Sequence, residues 1–232
     1  MSGALDEAIR RAEQLVVRSW GNGRDLWLWE HCLRVMRSAD LLAAIPELLR
    51  EQADPTAATL AGLYYDAGWA VQARDGGLQP WQVLARPTSN VQRELAAGAL
   101  LEHCTGILPV ETVTLAAEAI RECNNRFTTM PEAQVVSEAA NLDEFGLMYV
   151  LRQFRLLQAE GRRLEDLLAT WTRQQEYRYW QARVDVLRFP QTREIARRRL
   201  AAVADFMDAL ARDAGGADLR DQVSAAAAPP KP

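Results

Sequence analysis

Apolar residues return every three to four positions along almost all of this chain, and prolines and glycines cut that pattern into segments. A period near 3.6 is the signature of amphipathic helices, and convincing strand alternation is absent. A chain so patterned has few options beyond packing helix on helix, so the expected fold is a single all-α bundle of about eight helices. The stops set the segments. Helix one is expected over residues 4–20, ending at Gly21-Asn22-Gly23, and helix two over 26–44, with Asp25 as its cap. Asp54 followed by Pro55 is a cap with a first-turn proline, so helix three spans 55–66 and stops by Gly68. Residues 69–87 carry Gly76, Gly77, Pro80 and Pro87 and read as an irregular connection, a candidate lid or binding loop. Thr88 or Ser89 caps helix four, and Pro109 opens helix five, which ends at Asn124 and Asn125. Longer helices are expected over 131–159 and 163–187, and a last one over 192–212. The bundle is thus assigned to residues 1–214. The Ala- and Pro-rich segment 215–232 reads as a disordered tail.

The chain has 232 residues and a formal charge of −4, which argues against a nucleic-acid footprint. The run Arg193, Arg197, Arg198 and Arg199 reads as a solvated helix face. Cys32, Cys104 and Cys123 are too widely spaced for a zinc cluster or a disulfide framework and read as buried thiols. No apolar run reaches a membrane span, and the N-terminal segment lacks a signal-peptide core. A cytoplasmic location is the expectation. Residues 171–180, WTRQQEYRYW, read as an amphipathic helix with aromatics inward and arginines outward.

The stretch LAGLYYDAGW, residues 60–69, places an aspartate at a helix end beside a glycine, a good position for a metal ligand. Tyr65, directly before it, is a poor ligand, because a phenol coordinates well only as phenolate and its reference pKa is near 10.

Four segments, in order, resemble the HD superfamily of metal-dependent phosphohydrolases. HCLRVMRSA, residues 31–39, is similar to its H-x-x-R-V-x-x-x-A opening. AGLYYDAG lies where the family carries its His-Asp pair. EAQVVSEAANLDEFGLMYVLRQF, residues 132–154, resembles E-A-x-x-V-x-D-A-D-x-L-D-x-x-G followed by R-x-F, and the segment from Arg188 resembles the closing helix. The resemblance runs from about residue 25 to 212. It implies a divalent cation, manganese, nickel, iron or magnesium, that polarises a phosphoryl oxygen and activates water. His31 matches the first ligand and Asp66 the aspartate of the pair. The paired histidine falls on Tyr65 and the later metal aspartate on Ala140, so two of the four expected ligands are replaced. On a helix, Asp143 and Glu144 share roughly the face of Ala140 and are possible substitutes. Arg34 and Arg152 match family arginines, either as phosphate contacts or as internal ion-pair partners. Tyr149, where glycine is frequent, either fills the pocket or packs outside it.

The leading expectation is a degenerate, catalytically impaired HD domain with no resident cofactor. It would bind a phosphorylated small molecule or a protein partner at the remnant pocket. The alternative is an active phosphohydrolase acting on a nucleotide or phosphate ester with a reorganised ligand set. A third reading is a helical interaction scaffold.

Overall fold

Helical periodicity is realised almost throughout the computed structural model, which describes residues 2–20, 22–74, 76 and 78–227. It divides into two units, the first ending at Glu144 and the second starting at Phe145.

The first unit contains α1 (Ser2–Val16), α2 (Trp27–Leu42), α3 (Pro46–Arg50), α4 (Pro55–Tyr64), α5 (Ala67–Arg74), α6 (Asn90–Cys104), α7 (Val110–Glu122) and α8 (Pro131–Asp143). Every residue of α4 from Ala57 to Tyr64 is buried, so this helix is apolar all round and forms the axis of the core. It packs against α2, α7 and α8, while α5 and α6 pair beside it. Asp54 caps α4 by accepting from the Thr56 and Ala57 amides at 2.8 and 3.1 Å. Ser89 caps α6 in a reciprocal capping box with Gln92.

Two expectations are corrected here. Helix one ends at Val16, and an antiparallel hairpin follows, β1 (Arg18–Trp20) paired with β2 (Gly23–Asp25). Asn22-Gly23 at the start of β2 is hairpin chemistry within a helical chain. The expected loop over 69–87 is shorter, because the chain bends after Tyr64 and resumes as α5 through Arg74. Asp75 and Gly77 lie outside the described residues. The rest of the connection is tied down by buried Val83 and Leu84.

The second unit contains α9 (Leu147–Glu160), α10 (Leu164–Glu176), α11 (Tyr179–Asp185), α12 (Pro190–Gly215) and α13 (Ala217–Ala227). Helices are more numerous than eight because two expected long ones are split, at Gly146 (φ 86°) and at Arg178 (φ 52°), and because α3, α5 and α13 form outside the expected spans. Tyr149, Trp171 and Trp180 form an aromatic cluster in which the Tyr149 hydroxyl and the Trp180 indole N–H both donate to Gln174 Oε1 at 3.0 Å. The break at Arg178 also turns Tyr177 and Tyr179 outward, so only the tryptophans of the 171–180 stretch pack inward. Part of the expected tail is helical, as α13, whose alanines have high helix propensity. Residues 228–232 lie outside the described residues. Among the described residues, no helix is long and apolar enough to cross a membrane.

Candidate functional site

The site is built where α2, the α4–α5 bend and the end of α8 meet inside the first unit. α2 contributes His31 and, one turn on, Arg34. The bend contributes Tyr65 and Asp66, and α8 contributes Ala140 and Asp143. His31, Asp66 and Asp143 are all buried.

His31 is gripped at both edges of its ring. Nε2 lies 2.7 Å from Asp66 Oδ2, and Nδ1 lies 2.6 Å from Asp143 Oδ2. Arg34 closes the outer side, donating from Nε to Asp143 Oδ1 at 2.6 Å and from Nη2 to Asp143 Oδ2 at 3.1 Å. At the inner end, the Thr88 hydroxyl donates to Asp66 Oδ1 and accepts from the Trp69 indole N–H at 3.0 Å. One hydrogen-bonded chain therefore runs from Arg34 through Asp143, His31 and Asp66 to Thr88.

Burial disfavours an imidazolium, but hydrogen bonds to Asp143 and Asp66 outweigh it, and the His31 pKa is raised. Burial likewise works against the Asp143 carboxylate, yet the bonds from His31 and Arg34 hold its pKa well below the usual range. The Tyr65 phenol is pushed well above 10, first by burial and then by the negative charge of Asp66.

These positions bear directly on the expected ligands. His31 and Asp66 are together. Asp143 reaches the cluster but meets the opposite edge of the ring from Asp66, so the two carboxylates do not converge on one point. That is the place of a carboxylate that orients a histidine from behind, not of a substitute ligand. Glu144 caps the C-terminus of α8. Ala140 offers no donor atom, and Tyr65 is held as a neutral phenol. Among the described residues, no group of three His, Cys, Asp or Glu side chains converges as a metal site. The residues present do not fit the four-ligand cation site that the resemblance implies. Arg34 is an ion-pair partner of Asp143. Arg152 lies on α9 in the second unit, as does Tyr149, whose ring joins the aromatic cluster. All three cysteines are buried free thiols.

Three residues near the site escaped the sequence reading in any functional sense: Trp69, Arg93 and Thr88, the last weighed only as a cap. Thr88 reaches Asp66 across 22 positions through a loop, and no local pattern encodes that contact.

No family model matches the chain, and no curated protein sequence does. Solved structures do. Bacillus subtilis YpgQ matches with 18% identity and a TM-score of 0.58 over 90% of this chain and 96% of that one. The same protein in complex with ADP matches with 18% identity and a TM-score of 0.60 over 91% and 95%. A predicted HD superfamily hydrolase from an uncultured Thermotogales bacterium matches with 18% identity and a TM-score of 0.53 over 90% and 92%. The helical framework of this chain is the HD-domain fold.

Proposed function

We propose that this HD-fold domain binds a phosphorylated small molecule beside Asp66 and Tyr65, and that it does not hydrolyse it by the metal-dependent route of the family. The observation that carries the reading is His31, whose two ring nitrogens are both committed to carboxylates. A histidine ligates metal through a nitrogen lone pair, and here each nitrogen faces a carboxylate and donates to it when the ring is protonated. The imidazolium then supplies the positive charge between Asp66 and Asp143 that a cation would otherwise supply. Tyr65 and Ala140 remove the two donors that would compete for a metal. A phosphorylated ligand, nucleotides included, is supported by the fold and by the ADP complex of the similar Bacillus protein.

The test is metal content and turnover on the full chain purified without chelator. We expect far less than one equivalent of transition metal, and no nucleotide or phosphomonoester hydrolysis above background with added manganese, nickel, iron or magnesium. ADP should bind saturably in excess chelator. One equivalent of bound metal that is lost on His31→Ala, together with metal-stimulated hydrolysis, would make the chain an active phosphohydrolase with a rearranged ligand set.

A further inference from the structure

Arg93 is only 4% exposed, yet no carboxylate among the described residues lies within ion-pair reach of it. Its guanidinium donates from Nη1 to the Thr88 carbonyl at 2.8 Å and from Nη2 to Asn90 Oδ1 at 2.5 Å, both neutral acceptors. A guanidinium has five N–H donors and stays charged at any physiological pH. A buried charge is ordinarily paired, because neutral acceptors offset its lost hydration only in part. His31, Asp66 and Asp143 follow that rule, being joined to one another. Arg93 does not.

The same residue lines a cleft of about 450 Å³ between the start of α6 and the end of α7, which Asn90, Arg121 and Asn124 also line. That volume lies in the range of small-molecule pockets. The acids on this cleft are already engaged. Glu94 accepts from Arg121 Nε at 2.8 Å, and Glu122 accepts from Asn125 Nδ2 at 2.9 Å. Asn90, having given its oxygen to Arg93, keeps its NH₂ to donate. A buried cation flanked by carboxamides is a donor-rich surface, and the acceptors of Arg93 are the Thr88 carbonyl and Asn90 Oδ1 rather than either carboxylate on the cleft. The cleft also communicates with the site described above. The carbonyl that Arg93 holds belongs to Thr88, whose hydroxyl holds Asp66, and the Arg93 charge is felt at the Tyr65 phenol.

We propose that this cleft is an anion subsite, in which Arg93 holds a phosphate group of the ligand and Asn90 and Asn124 donate to its remaining oxygens. Phosphate suits the place better than carboxylate. It presents more acceptor oxygens, in a geometry that a guanidinium fork and adjacent amides can share. The assignment rests on the proposed function for the class of ligand. It moves the phosphate contact from Arg34, which Asp143 occupies, to Arg93.

The probe is inorganic pyrophosphate, titrated into the full chain in chloride buffer with chelator, with calorimetry and the Arg93 Nε–Hε resonance as readouts. We expect saturable binding, a shift of that resonance, and a loss of affinity of roughly tenfold or more in Arg93→Gln, the fold-change for removing a charged hydrogen-bond partner. Asn124→Ala, at an exposed position, should weaken binding several-fold with the fold intact, and it decides the matter should Arg93→Gln fail to fold. No pyrophosphate binding, an unmoved Arg93 resonance, or unchanged affinity in both variants overturns the subsite. ADP affinity that is unaffected by Arg93→Gln overturns it as well, while leaving the ligand-binding reading intact. Conversely, Arg93-dependent pyrophosphate binding in a protein that also turns over nucleotides with metal keeps the subsite and overturns the impaired-enzyme reading.

Discussion

At the scale of single residues, the cluster around His31 makes stability depend on pH in two directions. The folded His31 pKa lies above its ordinary value of 6.5, so the folded chain holds that proton more tightly than the unfolded chain. Its contribution is complete below 6.5 and is lost as pH rises through the folded value. Asp143 is the reverse case. Its folded pKa lies below the ordinary 3.8, so its contribution is present above that value and is lost as pH falls through the folded one. Both act together between about pH 4 and 6.5. The urea midpoint should be highest there and fall on either side, and in His31→Gln the alkaline decline should flatten. His31→Ala leaves Asp66 and Asp143 buried without their shared cation and should cost about 3–5 kcal/mol, read from urea denaturation at pH 6. A cost under about 1 kcal/mol would mean that the cluster is hydrated and of little consequence. The pairing of His31 with Asp66 was legible in the sequence, because two motifs in the right order define it. Which ring edge Asp143 would meet was not legible. That depends on the direction in which α8 arrives, and helical spacing does not specify it.

At the scale of elements, the position of Asp66 depends on how closely helices approach at two glycines. Gly62 lies on α4 where a Cβ would come within 3.0 Å of Ala39 Cβ and 3.2 Å of the Met36 Cα on α2. Gly68 is tighter still, since a Cβ there would lie 1.9 Å from the Gln92 carbonyl oxygen of α6. The last glycine of AGLYYDAG is thus a contact glycine that seats α5 against α6, where the sequence suggested a helix stop. Gly68→Ala must push α6 away and with it Thr88, which bonds Asp66. Its cost should reach or exceed the upper part of the 1–3 kcal/mol typical of overpacking, with Gly62→Ala below it. Thermal unfolding of the two variants checks the order, and an equal or reversed order would show that α6 yields more readily than α2. Caps such as Asp54 and Ser89 were readable because they act within three residues. The breaks at Gly146 and Arg178 were not, because a lone glycine in a periodic stretch is ambiguous and a positive φ at arginine has no sequence signal.

At the scale of the whole molecule, the framework and the donor set have separate histories in the sequence. The fold was readable because a helical period and stop residues recur along the whole chain, and solved structures, a predicted HD superfamily hydrolase among them, match it over about nine tenths of its length. The chemistry rests on a few side chains, and single substitutions alter it without disturbing the helices. The two positions where the resemblance expects further donors lie on elements that flank His31 and Asp66, since Tyr65 caps α4 and Ala140 sits one turn before Asp143 on α8. The double variant Tyr65→His with Ala140→Asp should therefore take up about one equivalent of manganese, nickel or iron, the number expected for a restored four-ligand site. Uptake has a proton condition. His31 must release its Nε2 proton before that nitrogen can coordinate, and the pair with Asp66 holds the proton above the ordinary histidine range. Metal binding to the double variant should strengthen as pH rises through the folded His31 value and release protons as it does so, which calorimetry in buffers of different ionisation enthalpy measures directly. Either single variant alone should bind far more weakly. Failure of the double variant to bind at high pH, with its helical content intact, would show that α4 and α8 no longer stand at metal-binding distance.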